Sequence, residues 1–144
     1  MKKALFAFCL TFVLSSFGFS NDNSAKGLNV LITSSDTQTQ MMGMVLSTMT
    51  LKQGKEVNMT LCSSAGDLAI KDSKIKTIKM QGEDKSPQML LKGLIKDGAN
   101  VKVCPLFLPN SGKTETDLID GVSVAKPNEV ASKILDKDYQ TLSY

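Results

Sequence analysis

Cys104 closes the segment Gly98-Ala99-Asn100-Val101-Lys102-Val103-Cys104-Pro105, a thiol at the tip of a short apolar strand that follows a helix. Open α/β sheets put their chemistry there, in the crevice beyond the carboxyl ends of the strands. The chain contains no histidine. Its chemistry must therefore run on sulfur, carboxylate, hydroxyl, lysine or backbone groups. A thiol near helix N-termini can ionise to a nucleophilic thiolate. It can also hold an extra sulfur as a persulfide and release it by exchange. A small apolar cysteine buried for packing is the competing reading of the same residue.

Cys62 ends a second strand-like run, Glu56-Val57-Asn58-Met59-Thr60-Leu61-Cys62, and should face the same sheet edge. It reads as a resolving thiol, as a second ligand, or as a plain core residue. Sheet order decides whether the two cysteines can bond. Neighbouring strands lie about 4.8 Å apart, inside the Cα separation of about 4.4–6.8 Å that a disulfide needs. A strand between them would double the gap and forbid it.

Ser34, Ser35 and Asp36 follow the first strand-like run. They read as pocket-lining residues that bind a polar ligand with the next helix's N-terminus, or as caps alone. Met41, Met42, Met44 and Met49 crowd that helix. With cysteine they would suit Cu(I), and without a metal they are packing residues. Missing histidine counts against zinc, Cu(II) and histidine-ligated haem, so no metal site and no cofactor are assigned. Lys71, Lys74, Lys76 and Lys79 form either an anion-attracting cluster or a solvated edge. Ser111-Gly112-Lys113-Thr114 ends like a phosphate loop, but Phe107 stands where its first glycine belongs. It reads as a turn and cap.

These residues need a frame. Leu28–Thr33 is an apolar, β-branched first strand. A helix follows over about Thr37–Gln53, with Met41, Met44, Val45, Thr48 and Met49 at helical spacing and Gly54 at its end. After the second strand, Asp67–Asp84 is the least readable stretch. Ser86-Pro87 reads as an N-cap and first helical residue, leading a helix to Asp97. Ala99–Leu106 is strand three, 109–112 a turn, Thr114–Ile119 a short helix, and Val122–Val124 a short strand. Pro127 opens a last helix. Alternating strands and helices predict a mostly parallel sheet of about four to five strands, covered on both faces as a three-layer α/β/α sandwich.

The first twenty residues read as an address. Met1-Lys2-Lys3 is basic, Ala4–Phe19 is apolar or small, and Gly18 and Ser20 suit a signal peptidase that cuts after Ser20. The apolar run is shorter than the roughly 20 residues that span a bilayer, so no stable membrane insertion is expected after cleavage. An uncleaved anchor is the rival. Cys9 leaves with the signal, which leaves Cys62 and Cys104 in a periplasmic or secreted chain. The expected divisions are a signal over 1–20, a flexible segment over 21–27, one domain over 28–138 and a tail over 139–144. Losing Lys2 and Lys3 from 17 basic and 14 acidic residues leaves a net charge of about +1. With no arginine either, nothing points to nucleic acid.

The chain resembles the DsrE/DsrF-like (YchN-like) family of small sulfur-relay proteins over nearly its full expected mature length. The matching segments are Leu28–Asp36 before a long helix, Gly54-Lys55-Glu56-Val57, Leu94–Cys104, and Asp117-Leu118-Ile119-Asp120-Gly121-Val122 before a final helix. The resemblance implies a flavodoxin-like α/β sandwich, frequent homo-oligomers (trimers or hexamers), and a Cys104 that accepts sulfur from one partner or small sulfur compound and passes it on, as a sulfurtransferase-like relay component. Two departures stand out. Relay proteins of the family are mostly cytoplasmic, whereas this chain looks exported, and Pro105 removes one N–H donor beside the thiol. The alternatives are a non-catalytic oligomeric module that binds a small anion or a protein, and a Cu(I)-binding protein.

Overall fold

The structure, a computed structural model, describes residues 24–144. The expected signal, its cleavage site and Cys9 lie outside the described residues. Among the described residues no helix is long and apolar enough to cross a membrane.

The elements run β1 (Gly27–Ile32), α1 (Thr37–Lys52), β2 (Glu56–Leu61), β3 (Ile78–Met80), β4 (Glu83–Lys85), α2 (Pro87–Lys96), β5 (Asn100–Val103), α3 (Phe107–Ser111), β6 (Val122–Val124), α4 (Pro127–Ile134) and β7 (Tyr139–Ser143). One parallel sheet takes the order β6-β5-β2-β1-β7, and β3 and β4 form a separate antiparallel hairpin.

Alternation along the central strands sorts their side chains onto two unlike faces. Val30, Ile32, Val57, Met59, Leu61, Val101 and Val103 are buried on one face, and Met44 of α1 with Leu91 and Leu94 of α2 complete that core. Both helices start as the sequence predicts. Asp36 accepts from the Thr39 amide at 2.8 Å, and Ser86 caps α2 ahead of Pro87. Gly43 lets α1 close on β1, because a Cβ there would sit 2.8 Å from the Ile32 side chain. Met49, expected inward, is exposed. Ser47 is buried instead, its hydroxyl donating to the Gly43 carbonyl at 2.7 Å.

The other face carries Asn29, Asn58 and Asn100 in one row and Leu31, Thr60, Lys102 and Ser123 in the next. α4 packs here. Asn29 donates to the Lys133 carbonyl, and Lys102 pairs with Glu129 at 2.6 Å. The expected α/β/α order holds, with a second helical layer that is thin and polar.

Several boundaries differ from expectation. Residues 139–144 are no tail. β7 pairs with β1 along its length, and the Tyr144 amide donates to the Leu31 carbonyl at 2.9 Å. Strand three stops at Val103, short of Leu106. The expected turn at 109–112 is mostly α3, closed by Gly112 at φ 66°. The expected helix over 114–119 is a 3₁₀ turn at Glu115–Asp117. The unreadable stretch holds the end of a 3₁₀ helix, Ser63–Ala69, and the β3–β4 hairpin. Short segments fixed by tertiary contacts give little periodicity to read.

Candidate functional site

β2 and β5 are neighbours, so nothing separates the two cysteines. Leu61 stands opposite Val103 in the register, and Cys62 and Cys104 each follow by one residue. The ladder continues through them. The Cys62 amide donates to the Ile32 carbonyl, and the Cys104 amide to the Leu61 carbonyl, both at 2.8 Å. Adjacent parallel strands hold their Cα atoms about 4.8 Å apart, within disulfide range. Both thiols are free and half-buried.

Leu61 and Val103 point into the core and are fully buried. One further step along each chain turns Cys62 and Cys104 onto the polar face, beyond the Thr60–Lys102 row. Cys62 keeps extended geometry (φ −127°, ψ 165°), so its alternation is unbroken. Its thiol is pushed up to about 12, first by burial, then by hydrogen bonding to Cys104 and by that sulfur's charge. Cys62 therefore keeps its proton across the physiological range.

The loops after the two strands lock together. The Cys62 carbonyl accepts from the Ala65 amide at 3.1 Å, and the Cys104 carbonyl from Phe107 at 3.0 Å. Gly66 lies against the Phe107 ring, where a Cβ would approach Cγ to 2.4 Å. This close approach ties the segment after Cys62 to the segment after Cys104. Pro105 takes the i+1 position of this turn, where its fixed φ fits and no amide is needed.

The other expected site residues divide. Ser34, Ser35 and Asp36 follow β1 on the same sheet edge. Asp36 is occupied as a cap, accepting from both the Thr39 amide and its hydroxyl, and these bonds hold its carboxyl below the usual range. Ser34 receives the Asp36 amide at 3.1 Å, and its carbonyl receives buried Gln40 at 2.8 Å. Met41 and Met44 are buried and Met42 and Met49 exposed, on a helix that covers the face opposite the thiols. Among the described residues no group of three or more cysteines and carboxylates could hold a metal. Lys71 reaches toward Asp120 at 3.8 Å and Lys79 pairs with Asp84 at 3.0 Å, so this run spreads over a loop and a hairpin.

A cavity of about 450 Å³ opens between α4 and the polar face. Its floor is an amide ladder. Asn100 donates to Asn58 at 3.1 Å, Asn58 to Asn29 at 3.2 Å, and Asn29 to the Lys133 carbonyl. Thr60 and Lys102 line its side toward the cysteines. The sequence reading missed it, although one signal was visible. Asparagine is depleted in strands, yet three central strands each carry one.

No family model matches the chain, and no curated relative does. Among solved structures, the YchN protein of E. coli superposes with a TM-score of 0.65 at 20% identity, over 82% of this chain and 99% of that one. MTH1491, a protein of unknown function from Methanobacterium thermoautotrophicum, gives 0.60 at 14% identity, over 81% and 97%. Identities this low speak for architecture alone. The α/β fold implied by the DsrE/DsrF-like (YchN-like) resemblance is the fold this chain has.

Proposed function

We propose that the chain is a DsrE-like sulfur carrier whose Cys104 accepts a sulfane sulfur as a persulfide and hands it to an acceptor. One observation carries this reading. A half-buried thiol stands at the carboxyl edge of a parallel sheet, beside a second thiol that keeps its proton. Thiolate attack on a sulfane donor gives the persulfide, and exchange with an acceptor thiol removes it. The donor or acceptor is a partner protein or a small sulfur compound, and the carrier works as a homo-oligomer after export to the periplasm or medium. The test uses single-thiol proteins. Reduced Cys62→Ser, given a sulfane donor without oxygen, should gain the mass of one sulfur, and reduced Cys104→Ser should gain none. Equal uptake by both, or by neither, would remove the proposal.

The cavity favours a second reading, a binding module. The cavity lining carries Lys102 and Lys133 against Glu129 and Asp136, with Lys102 on Glu129 at 2.6 Å, so the charge here is largely compensated. The amide ladder suits a neutral polar molecule better than the small anion expected from the sequence. A thermal-shift panel of neutral amides and inorganic anions separates the two. Stabilisation by amides and not by anions is the expected result, and the reverse would reject it.

A further inference from the structure

Cys104 needs only one thiol to carry sulfur, yet the fold delivers two to adjacent rungs of one ladder. The sequence leaves Cys62 open between a resolving, a ligating and a packing role, and the structure narrows this. Leu61 faces Val103, and both cysteine amides extend the same hydrogen-bond pattern at 2.8 Å. Their sulfurs project to one face, and neither is fully buried. A cysteine kept for packing would sit with Leu61 and Val103, both completely buried on the apolar side. Cys62 instead lies where its sulfur can reach a group attached to Cys104. Gly66 under Phe107 fixes the two following segments against each other, which keeps the pair in register.

We propose that Cys62 resolves the Cys104 persulfide, forming a Cys62–Cys104 disulfide and expelling the outer sulfur as hydrosulfide. This rests on the reading of Cys104 as the sulfur acceptor and gives that site a second outcome, reduction of sulfane sulfur in place of its transfer. The sulfur of Cys62 attacks the inner sulfur of the persulfide. The S–H bond of Cys62 and the S–S bond of the persulfide break. A new S–S bond joins the cysteines, and the proton leaves on the outer sulfur. The departing sulfur is reduced to sulfide as the two cysteine sulfurs are oxidised to disulfide, so the step needs no outside oxidant. A dithiol reductant of the compartment restores both thiols by two exchanges. Cys62 loses its proton as it attacks, so expulsion competes with transfer of the same sulfur to an acceptor.

The experiment compares the reduced wild-type protein with Cys62→Ser and Cys62→Ala. Each receives one equivalent of a small-thiol persulfide without oxygen, which leaves as its thiol on loading, with mass and released hydrosulfide followed together. Wild type should pass through a one-sulfur adduct, release close to one equivalent of hydrosulfide, and end two hydrogens lighter with residues 62 and 104 linked. Both variants should keep the adduct and release hydrosulfide at least about tenfold more slowly. An adduct that persists equally in all three proteins, or equal release from all three, overturns this step and leaves the carrier standing. No adduct on any of them overturns the carrier and this step together. The wild-type disulfide map is decisive even if a variant misfolds.

Discussion

At the scale of residues, the two sulfurs are distinguished by environment. Cys62 is held protonated by burial and by its neighbour, with a value near 12 against an ordinary 9.0. Alkylation at neutral pH should therefore label Cys104 first, by peptide mass mapping, and Cys104→Ser should speed labelling of Cys62. Labelling of Cys62 ahead of Cys104 would contradict the assignment. The raised value also bears on stability. The folded chain holds the Cys62 proton more tightly than the unfolded chain does, so this contribution is whole below about pH 9 and fades as pH climbs toward 12. Alkaline unfolding of wild type should begin at lower pH than that of Cys62→Ser. Asp36 works the other way. Its lowered carboxyl favours the fold above the ordinary carboxylate range, and that contribution is lost as pH falls through its folded value.

At the scale of elements, the polar sheet face is held by the asparagine ladder. Asn58 is its centre, accepting from Asn100 and donating to Asn29. Asn58→Ala strands the buried Asn29 side-chain oxygen beneath α4, while exposed Asn100 turns to water, and should cost about 1–3 kcal/mol in a denaturant titration. A change below about 0.3 kcal/mol would mean water replaces the amide freely. Gly66→Ala pushes on Phe107 and should lower stability by about 1–3 kcal/mol through overpacking. Here the sequence was legible wherever a local signal existed. The Ser86-Pro87 start, the first helix and the apolar strands were all readable from spacing and caps. Cys104 and Cys62 were both legible as strand-tip thiols. That they are neighbours was not, because strand order is a tertiary property with no local signature. The ladder stayed hidden for the same reason: three asparagines distant in sequence become one feature only in register.

At the scale of the molecule, the five-stranded parallel sheet decides what can meet. Its order places β2 beside β5, which brings the thiols together, and sends the chain back so that β7 covers β1. The last six residues, 139–144, look like a tail because Tyr139-Gln140-Thr141 gives little apolar alternation. In the fold they seal an edge. The Tyr139 hydroxyl donates to Glu56, and Lys26 pairs with Asp138 at 2.6 Å. Deleting 139–144 should destabilise the domain and promote association through the bared β1 edge, visible by light scattering. A truncated protein as stable and monodisperse as the full chain would show that strand to be dispensable.

The central claim is that Cys104 takes sulfur up and also gives it away. The most direct measurement is one round trip on Cys62→Ser, loaded with a single sulfane sulfur and then offered a small thiol acceptor, with the mass of both followed. The added sulfur should leave Cys104 and appear on the acceptor, returning the protein to its starting mass. A sulfur that stays on the protein, or that never loads onto Cys104, would contradict it.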